Sequence, residues 1–296
     1  MSELMRARLQ LLATAVLFST GGAGIKATAM TSWQVAGFRS AAAALALLVF
    51  MRASPPLWSL RACAVGCAYG ATMTFFVLGN KLTTAANTIY LQSTAPLYIL
   101  LIGPWLLREH LRRSDLAFMA ALACGLVLFF VGTEQPYATA PDPATGNLIA
   151  LLSGVAWAFT ITGLRWLKTG SGEADRATTA ALVTGNVIAF VVCLPFAFPL
   201  DNAAPADWLI VAALGVFQVA LSYVLLSSAV HHVPALEASL LLLIEPVLNP
   251  VWAWLLHGER PGPWSIAGGA IILAATAVKT AAGAAAAEKT ATDEHR

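Results

Sequence analysis

Apolar stretches of about 20 residues recur from one end of the chain to the other, divided by short polar or proline-bearing connectors. They occupy 9–29, 34–52, 60–80, 84–107, 114–132, 147–168, 177–198, 207–229, 235–256 and 262–282. A helix needs roughly 20 apolar residues to cross ~30 Å of hydrocarbon. The pattern therefore predicts ten transmembrane helices in an all-α integral membrane protein. A closed β-barrel would show shorter, alternating segments instead.

The pattern also repeats. Pro96 precedes Glu109 by the same interval as Pro246 precedes Glu259, and with that offset Ala85 falls on Ala235, Leu91 on Leu241 and Leu106 on Leu256. Upstream, Lys26 meets Arg165 and Phe18 meets Trp157 at a slightly shorter offset. Five spans per unit is an odd number, so the second unit enters the membrane from the opposite side. The expectation is two inverted five-helix repeats, residues 1–133 and 147–282, joined by an extracytoplasmic linker at 134–146 and followed by a frayed cytoplasmic tail at 283–296. Such duplication in an apolar chain points to a transporter.

Composition agrees. Hydrophobic residues make up 58% and charged residues 11%, against about 25% charged in a soluble domain, and mean hydropathy is +0.74. No single water-soluble core of this length hides so much apolar surface. The net charge of +2 is distributed by side. With both termini in the cytoplasm, thirteen Lys and Arg fall on the inner loops and tails, and four (Lys26, Arg39, Lys81, Arg260) on the outer side. That is the positive-inside bias of a multi-pass protein of the bacterial cytoplasmic (inner) membrane. The partners are the lipid bilayer and a small-molecule substrate, with no nucleic acid. A monomer is compatible with the sequence, which does not set the oligomeric state. Arg6 and Arg8 precede an apolar run too long for a signal peptide. Cys63, Cys67, Cys124 and Cys193 lie within spans, without metal-ligand spacing, and read as buried free thiols. No metal and no cofactor is expected.

Polar groups inside spans need a protein or water partner. Thr83, Asn87, Tyr90, Thr94 and Tyr98 share one helical face of the fourth span, either lining a cavity for a zwitterionic or neutral metabolite or bonding between helices. On the ninth span Glu237, Glu245 and Asn249 share the matching face. Glu245, near mid-span, is the candidate to carry a proton or bind a substrate amine. Glu237 stands near the cytoplasmic surface, where it can also favour a helix N-terminus. Trp157 lies deep in the sixth span on a face with Ser153 and Thr160, whereas Trp33, Trp58, Trp105, Trp166, Trp208 and Trp264 sit near span ends as interfacial anchors. Gln218, Ser222 and Tyr223 add hydrogen-bonding groups in the eighth span. Gly21 and Gly22 loosen the first span, and Pro96, Pro246 and Pro250 mark hinges or static kinks.

From Ala235 through Ile244-Glu245-Pro246 to Gly258-Glu259-Arg260 and Ile266-Ala267-Gly268-Gly269-Ala270, the second half resembles the EamA-type members of the drug/metabolite transporter (DMT) superfamily. The first half repeats that pattern with Phe38-Arg39, Ala95-Pro96 and Leu107-Arg108-Glu109, and Phe18-Ser19 departs from the Trp-Gly often found in the first span. The length and aromatic stripe look most like the YddG-type aromatic amino-acid exporters. The resemblance implies ten helices around a central cavity, alternating access, and export of aromatic or hydrophobic amino acids and related metabolites, by a gradient-driven facilitator or by proton coupling. Pro96, Glu109, Pro246 and Glu259 would then serve architecture and gating. A sugar-phosphate carrier would need several cavity cations, and only Lys26, Arg39 and Arg165 approach it. An embedded enzyme has only His231-His232, near Glu237, to offer and lacks a nucleophile, so no catalytic residue is assigned.

Overall fold

The computed structural model describes residues 2–51, 56, 58–106, 113–131, 135–168, 174–201, 203–230 and 232–294. Glu109, Arg108 and His231 lie outside them. Nearly all described residues are helical: α1 (Glu3–Ser19), α2 (Gly21–Lys26), α3 (Ser32–Phe50), α4 (Leu60–Leu82), α5 (Ala85–Gln92), α6 (Ala95–Leu106), α7 (Arg113–Val131), α8 (Pro143–Lys168) and α9 (Ala174–Cys193) come first. There follow α10 (Pro205–Ala213), a π-helical stretch (Leu214–Leu221), α11 (Ser222–Ala229), α12 (Ala235–Leu242), α13 (Ile244–His257) and α14 (Pro263–Glu294).

Among the described residues, eight stretches are long and apolar enough to cross a bilayer, with α10 to α11 and α12 to α13 each counted as one. The other two expected spans, 9–29 and 84–107, are divided into α1–α2 and α5–α6. Local chemistry explains the divisions. A proline removes the donor to the carbonyl four residues back and its ring crowds that carbonyl. Accordingly α5 ends at Gln92, four before Pro96, and α12 ends at Leu242, four before Pro246. Hydroxyls finish the breaks: Ser93 and Thr94 donate to the carbonyls of Ile89 and Leu91 at 2.7 and 2.6 Å, as Ser19 and Thr20 do to Val16 and Leu17, each at 2.7 Å. The two prolines therefore sit in the first turns of α6 and α13, where no kinked continuous helix is found. Of the three prolines marked as hinges or kinks, Pro250 lies beyond the first turn of its helix, inside α13. The stretch expected as a frayed tail is helical to Glu294, in keeping with the high helix propensity of its alanines.

The helices pair reciprocally between the halves. α1 packs on α11 as α4 packs on α8; α3 packs on the π stretch as α9 packs on α4; α1 packs on α13 as α8 packs on α5. α3 with α9 and α7 with α14 complete the set. The α4–α9 crossing is close because a Cβ on Gly185 would lie 2.6 Å from the Gly66 carbonyl, the small-residue contact typical of packed membrane helices. Large apolar side chains such as Leu45, Leu101, Leu148, Val191, Leu209 and Leu256 point outward and are exposed. Cys67 and Cys124 are exposed too, so only Cys193 is a buried thiol and Cys63 is half-buried.

Connectors gather at two ends. At one end, which carries the N-terminus and is termed terminal, Arg8 pairs with Glu237 at 2.6 Å, Arg61 stacks 4.8 Å over Trp166, and Lys279 pairs with Asp115. At the distal end the Lys81 ammonium donates to the Thr28 carbonyl at 2.7 Å, and the Asp142 amide donates to the Leu82 carbonyl at 3.1 Å. Asp142 also caps α8, and hydrogen bonds from Thr145 hold its carboxyl below the usual carboxylate range.

Candidate functional site

A cavity of about 350 Å³ lies among α1, α3, α4, α5, α8, the π stretch, α11, α12 and α13. Helix rise places its two limits. Arg39 and Phe76 line the deep part; each is about 10 Å or less from the distal end of its helix at 1.5 Å per residue. Ile161, Leu226 and Ser239, close to the terminal ends of α8, α11 and α12, line the other part. No lining residue belongs to the connectors at either end, so the space lies in the middle of the helix bundle, with Arg39 and Phe76 toward its distal side.

The wall is mostly aromatic and aliphatic. Phe18 meets Tyr223 edge-on at 5.3 Å between ring centres, and Tyr223 meets Tyr69 edge-on at 5.5 Å. Trp157 faces the same space, so the repeat-related pair Phe18 and Trp157 both line it. Edge-to-face rings pack firmly and leave apolar area for a ligand. Gln218 projects from the π stretch beside Gly21, where a Cβ would lie 3.0 Å from its amide nitrogen. Gly22 is needed for another close approach, since its Cβ would lie 2.5 Å from the Asn249 side-chain oxygen and 2.7 Å from Ala85.

Of the residues singled out from the sequence, Trp157, Gln218, Tyr223, Glu245 and Pro246 come together on this wall. The fourth-span stripe does not. Asn87 is fully buried and donates to Thr83 at 3.2 Å and to Asn147 of α8 at 3.0 Å. Tyr90 packs against Phe129 of α7, with ring centres 6.2 Å apart. Thr94 donates its hydroxyl proton back to the Leu91 carbonyl and lies 3.4 Å from the Tyr98 hydroxyl. These four hold α5 and α6 to their surroundings, while their neighbours Ile89, Gln92 and Ser93 line the cavity. The helical stripe on the sequence assumed an unbroken helix, and the break at Ser93 and Thr94 invalidates that register. Glu237 forms the half-exposed pair with Arg8 at the terminal end.

Glu245 opens α13 just before Pro246, and among the described residues its carboxylate has no hydrogen-bond or ion-pair partner. Arg39, counted on the outer side and also named as approaching the cavity, is the eighth residue of α3, 1% exposed, on the cavity wall. A cation well inside the span at 34–52 was the available signal.

Lys26, another of the cations named as approaching the cavity, does not line it. It forms a buried ion pair with Glu259 at 2.9 Å, both side chains nearly without exposure, and donates to the Thr83 carbonyl at 2.8 Å and to that of Thr139. Glu259 in turn accepts the amide of Ala85 at 2.7 Å, which caps α5. This latch ties α2, α5, the inter-repeat linker and the end of α13 together on the distal side of the cavity. Trp252, not singled out from the sequence, joins α13 to the α1–α2 break by donating to Ser19 at 3.0 Å.

Comparison with known proteins places this arrangement. The chain is 24% identical over 271 residues to the pseudopaline exporter CntI of Pseudomonas aeruginosa, covering 87% of this chain and 90% of that protein. It is 26% identical over 197 residues to the uncharacterized transporter YdfC of Bacillus subtilis, covering 66% of this chain and 62% of YdfC. A solved crystal structure superposes with a TM-score of 0.57 at 19% identity, over 93% of this chain and 96% of that one, and so shares the fold. The model of the EamA-like transporter family matches residues 5–131 and 144–280. These two matches together span most of the chain, and the chain belongs to the EamA-like transporter family.

Proposed function

We propose that the protein exports amino acids, with aromatic and hydrophobic ones and related metabolites as its range, by alternating access across the bacterial cytoplasmic membrane. The observation that carries this reading is the cavity itself. Its about 350 Å³ fits the ~300–1,000 Å³ range of small-molecule sites. Its aromatic wall of Phe18, Trp157 and Tyr223 suits an apolar side chain, while Gln218, Arg39 and Glu245 supply polar groups of both charges. Similarity to a protein named as a pseudopaline exporter supports metabolite export more broadly.

Ten crossings in two inverted repeats are part of the proposal, with α1–α2 and α5–α6 each counted as one. Support comes from the two family matches and from the reciprocal helix pairing. With both termini in the cytoplasm, the terminal end is the loading side and the Lys26–Glu259 latch closes the release side. Rocking one bundle against the other would exchange the two ends.

Coupling is assigned to the substrate gradient. The second reading, proton-coupled export, is favoured by one observation, the Glu245 carboxylate on the wall, which has no hydrogen-bond or ion-pair partner among the described residues. Counterflow in liposomes separates them. Vesicles loaded with unlabelled phenylalanine or tryptophan are expected to take up the labelled amino acid at a rate that ignores an imposed pH gradient. Gradient-driven uptake would instead establish the proton-coupled reading, and no uptake of any amino acid would sink the substrate class.

A further inference from the structure

We propose that Arg39 is the carboxylate anchor of the transport site, so that the cavity selects molecules by a carboxylate held at its floor. The inference rests on the cavity being the transport site and names what recognises the substrate there. It begins with an unbalanced charge. A guanidinium carries five N–H donors and stays protonated, and burying it is expensive unless it is paired. Arg39 is 1% exposed, yet its acceptors are all neutral: the Gln218 amide oxygen at 3.4 Å, the Met73 carbonyl at 3.1 Å and the Met73 sulfur at 3.7 Å. Among the described residues its Nε has no acceptor. Among the described residues no carboxylate pairs with it, whereas the equally buried Lys26 has Glu259.

The missing anion has a place to come from. Arg39 lines the cavity together with Gln218, and the contact between them is long for a hydrogen bond. A carboxylate entering from the cavity would meet a planar fork built for two parallel N–H···O bonds. Glu245 lines the same cavity nearer the terminal end, about 18 Å from the distal end of α13 against about 10 Å for Arg39 on α3. Tyr223 stands within Coulombic reach of both charges. A bound amino acid therefore points its carboxylate to the distal floor and its ammonium toward Glu245, with its side chain along Trp157 and Phe18.

Three probes of one skeleton test this on the whole protein: phenylalanine, hydrocinnamate (no amine) and phenethylamine (no carboxylate). Binding is read as ligand-induced thermal stabilisation in detergent and as competition in liposomes. Phenylalanine and hydrocinnamate are expected to bind, and phenethylamine about tenfold more weakly or worse, because it leaves a buried donor set unmet. The variant Arg39→Lys keeps the charge but loses the fork; it should weaken both carboxylates about tenfold and leave phenethylamine unchanged. Equal binding of phenethylamine, unchanged carboxylate binding in Arg39→Lys, or no binding of either carboxylate overturns the anchor. Arg39-dependent binding of hydrocinnamate without any movement of labelled phenylalanine would keep the anchor and discard amino-acid export.

Discussion

At the scale of single residues, the decisive contrast is between charges that have partners and charges that face the cavity. Lys26 and Glu259 neutralise each other inside a ring of backbone contacts, and Arg8 and Glu237 pair at a half-exposed surface, where such a bridge contributes only about 0–1 kcal/mol. Glu245 and Arg39 have no such counter-ion among the described residues. A carboxylate beside an apolar wall is retained at a cost when it serves a substrate or a proton. Replacing Glu245 by Gln keeps its shape and removes its charge. For a facilitator, this substitution is expected to leave the pH profile of counterflow unchanged while lowering apparent affinity for phenylalanine several-fold. A flattened pH profile in Glu245→Gln would transfer the coupling role to this residue. The fourth-span stripe teaches the complementary lesson: Asn87 and Thr94 are polar, buried and bonded within the protein, so polarity inside a span locates an interaction without saying with what.

At the scale of elements, the matched breaks before Pro96 and Pro246 are the main feature. Each divides a membrane-length segment at the carbonyl that the proline cannot serve, and places the break beside the cavity, where Gln92, Ser93 and Leu242 line the wall. Restoring the donor with Pro246→Ala permits α12 and α13 to join. The expected outcome is a protein with an unchanged or raised melting temperature and counterflow slowed several-fold. Equal slowing and destabilisation would assign the proline to packing alone. The sequence revealed the matching prolines as hinges or kinks. That Pro96 starts a new helix depends also on the hydroxyls of Ser93 and Thr94 folding back on Ile89 and Leu91, a choice among local partners that spacing does not reveal.

At the scale of the whole molecule, the distal end is tied by one connected, buried set of contacts. Lys26, Glu259, Thr83, Thr139 and Ala85 belong to four separate segments, so any opening of the distal end must break several contacts at once. Removing one partner of a buried ion pair leaves the other charge unpaired, a penalty of about 3–5 kcal/mol. The variant Glu259→Gln is expected to relieve that penalty by opening the distal end to water. A cysteine at Ala140, fully buried in this state, in a background without the native cysteines, should then react faster with a polar thiol reagent. Unchanged labelling, with folded protein, would show that the pair holds the fold and does not set the equilibrium between the two facing states.

Hydrophobic pattern, duplication and basic-residue bias were enough to read a helical membrane transporter in two halves, because a span must satisfy its own backbone and therefore writes its length and polarity into consecutive residues. The family was legible from a resemblance carried by motifs such as Ile244-Glu245-Pro246 and Gly258-Glu259-Arg260. Partnership was decided elsewhere. Which polar groups bond to protein and which face the cavity depends on helix rotation, on the two broken spans and on contacts between residues far apart in the chain. Arg39 and Lys26 look alike along the sequence, two cations in the first two spans. Only the folded arrangement gives Lys26 the Glu259 carboxylate and leaves Arg39 on the cavity wall with neutral acceptors.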